Sequence, residues 1–197
     1  MSGADREKWE ERYRKRATSE IGNADPFLET VLGELPSSGA ALDLAGGSGR
    51  HTLQLARHGL DVTLIDVAPT GLALAQAAAA DSGLSIATRE IDLDTDALPL
   101  GPFSVVFCSW YLPPPARWRE LHQILAPNGV LVLIHPTLKN LERHAHPSAR
   151  FCVIEKDLQP QLEDAGFRID RWQAGWDRND KHTLGVLARR SELPRAG

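Results

Sequence analysis

Residues 41–59 read ALDLAGGSGRHTLQLARHG. An apolar run, Ala41 to Leu44, stops at Gly46, Gly47 and Gly49, which crowd around Ser48. A helical pattern follows and ends at Gly59, a residue suited to close a helix. Glycines let a backbone turn sharply and approach a ligand closely. The stretch is therefore a strand, a turn and a helix, and the turn is either plain or a ligand cradle. A dinucleotide loop wants G-x-G-x-x-G; Gly47 and Gly49 fill its first two places, but Thr52 stands at the third. Asp43 sits at the loop entrance. A carboxylate there repels a pyrophosphate and attracts an ammonium group. The loop points to a ligand with a cationic amine and no phosphate.

Working outward, the same rhythm repeats. Apolar spacing predicts strands over 40–44, 61–65, 84–91, 103–109 and 130–135. Helices are expected over 49–58, 69–81 and 115–126, with PNG as the exit turn of the last. Upstream, 5–19 reads as a charged amphipathic helix with Trp9 and Tyr13 on one face. Asp25 and Pro26 read as the cap and first residue of a helix reaching 34. Downstream, 136–150 is polar and irregular. A helix over 155–165 follows, harmed little by Pro160 if that residue falls in its first turn. Strands over 167–175 and 183–188, joined through DRNDK, read as an antiparallel hairpin closing the sheet. Strand alternating with helix means a parallel sheet covered on both faces. In such sheets ligands sit beyond the carboxyl ends of the strands. The loops of interest begin near Asp43, Asp66, Asp92, Ser109 and His135.

Three of those five positions are acidic. Asp66, in LIDVAP, can accept both hydroxyls of a ribose. As a cap for the helix at Pro69 it lies too far upstream. Asp92, in REIDLD, can accept from an adenine amino group, or it is one solvated acid among Asp92, Asp94 and Asp96.

Composition bounds the rest. A chain of 197 residues suits one domain with a sizeable core, taken here as 1–197 with a helical cap over 1–36. A net charge of −4 argues against a nucleic-acid surface. The charged first residues lack the apolar core of a signal peptide, and no apolar run approaches membrane-spanning length. The two cysteines, Cys108 and Cys152, show no metal-like spacing and read as reduced thiols. The expectation is a cytoplasmic protein, monomer or homodimer, with no membrane or nucleic-acid partner and no metal.

Taken together, LDLAGGSGR, VTLIDVAP, IDLD, FSVVFCSWYLPPP and LAPNGVLVL resemble the class I S-adenosylmethionine-dependent methyltransferases. The L-x-P-x-G at Leu125, Pro127 and Gly129 separates that family from dinucleotide dehydrogenases. Trp9, Arg12 and Tyr13 in W-x-x-R-Y, DPFL, D-L-A and HPSARF are similar to the small tellurite-resistance and thiopurine-type members. The resemblance implies an α/β fold: a Rossmann-like three-layer sandwich whose seven-stranded sheet is mostly parallel, with a C-terminal antiparallel hairpin. Ala45 replaces a glycine common in the wider class, which is tolerable if the backbone there needs no positive φ. By resemblance, Asp43 and the backbone of Ala45, Gly46 and Gly47 hold the methionine part of S-adenosylmethionine. Asp66 holds the ribose, with Val67, Asp92 and Leu93 around the adenine. Cys108 and Ser109 lie near the sulfonium. Trp9 and Tyr13 cover the site or simply anchor their helix.

Methyl transfer needs alignment and exclusion of water more than it needs a catalytic side chain. The acceptor is expected to be a small molecule, leaving S-adenosylhomocysteine as product. Trp110, Tyr111 and Pro113, the N-terminal helix and 135–150 are candidates to build its pocket. His135, at a strand end, is the candidate base or acceptor contact, or a structural histidine. Arg150 pairs an anionic acceptor or lies on the surface. Trp172 and Trp176 read as core or oligomer contacts. Two other readings stand beside this one: a non-catalytic binder of the same cofactor, and a nicotinamide-dependent oxidoreductase, which Asp43, Thr52 and the PNG turn disfavour.

Overall fold

The computed structural model describes residues 3–15 and 21–191. Seven strands form one sheet, in the order β3-β2-β1-β4-β5-β7-β6. They are β1 (Ala40–Leu44), β2 (Asp61–Asp66), β3 (Ala87–Glu90), β4 (Phe103–Ser109), β5 (Leu125–Pro136), β6 (Phe167–Trp176) and β7 (His182–Arg190). The helices are α1 (Gly3–Arg14), α2 (Pro26–Val31), α3 (Arg50–Arg57), α4 (Pro69–Asp81), α5 (Pro115–Ile124) and α6 (Glu155–Asp164). Pairing is parallel for β1–β2, β2–β3 and β4–β5, while β7 runs antiparallel to β5 and β6. This is the expected mostly parallel, Rossmann-like sheet. The chain divides into two compact units, Met1–Pro99 and Leu100–Gly197.

In the first unit, Asp25 caps α2 by accepting from the Phe27 amide at 3.0 Å, and Pro26 takes the first helical place. A 3-10 turn, Leu32–Glu34, extends α2 to the expected end. Helix α1 occupies the first part of the expected 5–19 helix; residues 16–19 lie outside the described residues. Small side chains let α3 and α4 approach: a Cβ on Gly49 would stand 2.7 Å from the Ala75 Cβ. Leu64, Leu72 and Ala75 pack into the core beneath. Burying a leucine of this kind contributes roughly 1.5–3 kcal/mol. Strand β3 is shorter than the expected 84–91. The Leu84 amide is drawn back to the Ala79 carbonyl at 2.8 Å to finish α4, so pairing begins only at Ala87.

In the second unit, β5 begins earlier than the expected 130. Phe103 pairs with Leu125 and Val105 with Val130, so residues 126–129 bulge out of a continuous strand. PNG is the tip of that bulge, with Asn128 at φ 61. Helix α5 therefore stops at Ile124 instead of 126. Pro160 is not in the first turn of α6 but inside the helix. Pro160 and Lys156 are both exposed, so the carbonyl freed by the missing N–H faces water. The β6–β7 turn is fixed by Asp177, whose carboxylate accepts from the Asn179 and Lys181 amides at 2.8 and 2.9 Å. Trp176 is half-buried on this hairpin, with the Arg143 guanidinium 3.9 Å from its ring and His182 against it edge-on. The irregular run after β5 is anchored by the buried Asn140. Its carboxamide accepts from the His182 amide at 3.1 Å and donates to the His146 carbonyl at 3.1 Å.

Candidate functional site

The turn after β1 is built by the end of β2. Leu44 pairs with Ile65, so Ala45 stands level with Asp66. Asp66 is buried, and its two carboxylate oxygens accept from the amides of Gly47 and Ala68, each at 2.9 Å. One acid therefore fixes both the glycine turn and the entry to α4. Burial pushes its carboxyl upward, against the hydrogen bonds from Ala68 and Gly47, which pull it down. Each oxygen keeps a further lone pair for a hydroxyl.

Asp43 lies under the same turn, 1% exposed. The Thr52 hydroxyl donates to one of its oxygens at 2.6 Å, while the other, Oδ1, is buried without a partner. Desolvation raises its carboxyl from 3.8 to about 7, opposed by the Thr52 hydrogen bond and reinforced by Asp66. Gly46 is obligatory above it, since a Cβ there would stand 2.7 Å from Asp43 Oδ2. Ala45 has φ 53. The condition under which alanine is tolerable, a backbone without positive φ, is not met: the turn uses the left-handed region, and alanine is strained there.

Helix α1 docks on this turn. Glu10 accepts from the Thr70 amide at 3.1 Å and from the Thr70 hydroxyl, so it caps the first turn of α4 from another helix. Both bonds lower the Glu10 carboxyl, with burial acting the other way. Arg6 pairs with Glu90 at the end of β3. Tyr13, 8% exposed, lies against the glycines: a Cβ on Gly47 would meet its hydroxyl, and one on Gly71 would stand 3.0 Å from its ring. Trp9 is half-buried and stacks on Tyr13, with ring centroids 6.0 Å apart.

At the ends of β4 and β5 the second unit holds another polar group. Ser109 pairs with Ile134, and the Trp110 amide donates to the Ile134 carbonyl at 3.0 Å. The Cys108 thiol donates to the Tyr111 carbonyl at 2.9 Å and draws this loop back onto β4. Ser109 Oγ, Trp110 Nε1 and both ring nitrogens of His135 are buried without partners. Desolvation lowers the His135 imidazole from 6.5 to about 3, which keeps it neutral.

Residues 41–129 match the model of a methyltransferase domain. The chain is 32% identical over 149 residues to a ubiquinone biosynthesis O-methyltransferase of Psychrobacter arcticus, covering 64% of this chain and 58% of that protein. The chain is similar to methyltransferases, and residues 41–129 carry that likeness. It spans 57% and 58% of the length of the curated relatives it matches. A SAM-dependent methyltransferase from Aquifex aeolicus has a similar fold, with a TM-score of 0.67 at 23% identity over 89% of this chain and 100% of that one. TehB from Haemophilus influenzae does too, with a TM-score of 0.70 at 16% identity over 93% of this chain and 67% of that one. These two likenesses are of fold.

The cradle fits S-adenosylmethionine, the cofactor that the sequence resemblance implies. The unpaired Asp43 oxygen suits an ammonium group and would be unfavourable beside a phosphate. Of the other expected site residues, Val67 and Leu93 are buried. Asp92 is half-buried and spends one oxygen on the Asp94 amide at 3.0 Å. Arg150 is exposed and lies over the Phe151 ring, 4.4 Å from its centroid. Three residues were given no part in building the site by the sequence reading: Thr52, Glu10 and Gly71. Thr52 was visible as a departure from a glycine pattern. Gly71, in the first turn of a helix, was visible as an out-of-place small residue. Glu10 gave no signal, because a capping acid on a distant charged helix looks like any other surface charge. No helix among the described residues is long and apolar enough to cross a membrane.

Proposed function

We propose that this protein is a methyltransferase that moves a methyl group from S-adenosylmethionine to a small-molecule acceptor by in-line displacement, releasing S-adenosylhomocysteine. In this reading residues 1–197 act as one catalytic domain, and 1–36 cap its cofactor site. Bound S-adenosylmethionine supplies a methyl group on a positive sulfur, open to attack along the carbon–sulfur axis. Asp43 and the backbone of Ala45, Gly46 and Gly47 receive the amino-acid part, and Asp66 the ribose. Val67, Asp92 and Leu93 bound the adenine, and Cys108 and Ser109 the sulfonium side. Trp9 and Tyr13 cover the cofactor and exclude water. Trp110, Tyr111 and His135 meet the reacting end of the acceptor, and the exposed Arg150 meets only a part of it that stays in solvent. Free cysteines and a net charge of −4 support a cytoplasmic enzyme acting on small molecules, as a monomer or homodimer, and not on nucleic acid.

The observation that carries this reading is the buried, unpartnered Asp43 oxygen inside a turn that admits no side chain at Gly46. Thermal unfolding with S-adenosylhomocysteine tests it. At about a hundredfold excess over the dissociation constant, stabilisation should be roughly 2.7 kcal/mol, or about 5–10 °C for a chain of this size. NAD should give no shift. A shift with NAD alone rejects the reading, and unchanged S-adenosylhomocysteine affinity in Asp66→Ala removes Asp66 from the ribose role.

A further inference from the structure

The unpaired atoms at the ends of β4 and β5 describe the chemistry of the acceptor. Trp110 follows the Ser109–Ile134 pair by one step, and its amide bonds Ile134, so it stands level with His135. Trp110 has φ 61, a strained backbone for an indole-bearing residue; strain of this kind is characteristic of ligand sites. Alternation along β5 puts His135 on the same sheet face as Leu133. Pairing adds Cys108, Leu184 and Val186 to that face. All four of these neighbours are fully buried and apolar.

We infer that Trp110 and His135 form an acceptor subsite for an uncharged molecule carrying an X–H nucleophile beside a second polar atom. This rests on the methyl-transfer reading above. The indole N–H can only donate, and a neutral imidazole offers one donor and one acceptor. The buried polar residues of this unit are Ser109, His122, His135, Thr137, Asn140, His182 and Thr183. None of these described residues carries a fixed charge, so an ionic acceptor would be desolvated there without a counter-charge. As the X–C bond forms, the electron pair of the breaking carbon–sulfur bond returns to sulfur, and X loses its proton. The free lone pair of the His135 imidazole receives that proton and passes it to solvent. Where X is oxygen or sulfur, the methylated X–H cation is a far stronger acid than imidazolium, so a weakly basic histidine suffices late in the transfer.

Three thiols of one size and one nucleophile test this: 2-mercaptoethanol, cysteamine and mercaptoacetate, each added to the full chain with S-adenosylhomocysteine bound. The first readout is the Trp110 indole N–H resonance, identified by its loss in Trp110→Phe. The second is kcat/KM for methylation of each thiol with S-adenosylmethionine. The expected result is a shift with 2-mercaptoethanol at an affinity at least tenfold above either charged thiol, with the same order in kcat/KM. His135→Leu should abolish the shift, and Trp110→Phe, which keeps the packing, should weaken 2-mercaptoethanol turnover severalfold. Equal or better use of a charged thiol overturns the inference while leaving methyl transfer intact. So does a Trp110 signal that none of the three moves. A chain that fails to bind S-adenosylhomocysteine overturns the reading beneath it, and the subsite with it.

Discussion

Replacing Asp43 by asparagine should stabilise the free protein in alkaline solution and weaken it as a cofactor binder. One Asp43 oxygen takes the Thr52 hydroxyl at 2.6 Å and the other takes nothing. Burial holds the folded carboxyl at about 7, while the unfolded chain returns it to 3.8. Between those values the folded state keeps a proton that the unfolded state releases. Stability from this group is therefore present below about pH 4 and is lost as pH rises toward 7. A rise of about three pH units corresponds to roughly 4 kcal/mol once the group is ionised in both states. Asparagine keeps the acceptor for Thr52 and carries no charge. Urea unfolding of both proteins from pH 4 to pH 8 reads the difference. The asparagine variant should gain on the parent by up to about 4 kcal/mol across the range. Calorimetric titration with S-adenosylhomocysteine should show the reverse. An ammonium beside Asp43 favours the carboxylate, so parent affinity should rise from pH 6 to pH 8, while the variant binds at least tenfold more weakly with no such slope. A stability difference that stays constant from pH 4 to pH 8 refutes the argument from burial.

Ala45→Gly should stabilise the protein by roughly 0.5–1 kcal/mol in urea unfolding, since relief of left-handed strain exceeds the entropy of a freer unfolded chain; destabilisation would show that the alanine methyl packs usefully. Glu10→Ala should cost about 1 kcal/mol, the worth of a helix cap, and should speed hydrogen exchange of α1 amides while leaving those of β4 and β5 unchanged. His135→Asn should flatten the acid limb of stability: the histidine, at about 3 when folded and 6.5 when free, loses roughly 2 kcal/mol of stability between pH 7 and pH 5, and the variant should not. An acid limb of equal slope in both proteins would place the His135 ring in contact with water.

The parts of the fold legible in the sequence are those where local and long-range forces agree. Strand β1, helix α4 and strand β4 start and stop where apolar runs meet proline, glycine or aspartate. The errors come from places where a long-range partner overrules a local signal. PNG reads as a turn, and it does turn, but pairing of Phe103 with Leu125 keeps strand on both sides of it. Leu84 and Ile86 read as strand, yet α4 claims the Leu84 amide first. Pro160 reads as a first-turn residue and is instead tolerated on a wet helix face. In the site, the acids Asp43 and Asp66 were readable because their strand-end positions follow from periodicity alone. Their differing states were not. Asp66 is satisfied by two backbone amides and Asp43 only by Thr52, and that contrast exists only once Gly47 and Ala68 are in place.

The cradle departs from what folding alone would choose, and the departures coincide. A turn selected for stability would carry glycine at a position with φ 53, and an apolar residue under it in place of a carboxylate missing half its partners. Both departures fall within residues 43–45, beside a glycine that cannot be replaced without striking Asp43. Elsewhere in the same unit the local rules are kept: Asp25 and Pro26 begin a helix, and Gly49 and Gly59 bound another. Two such departures gathered in one turn mark a binding site. Here they also have a sign, because both departures leave negative charge and bare backbone facing one place. A ligand that brings an ammonium and nothing anionic at that point relieves the largest of them, and binding is then coupled to the ionisation of Asp43 itself.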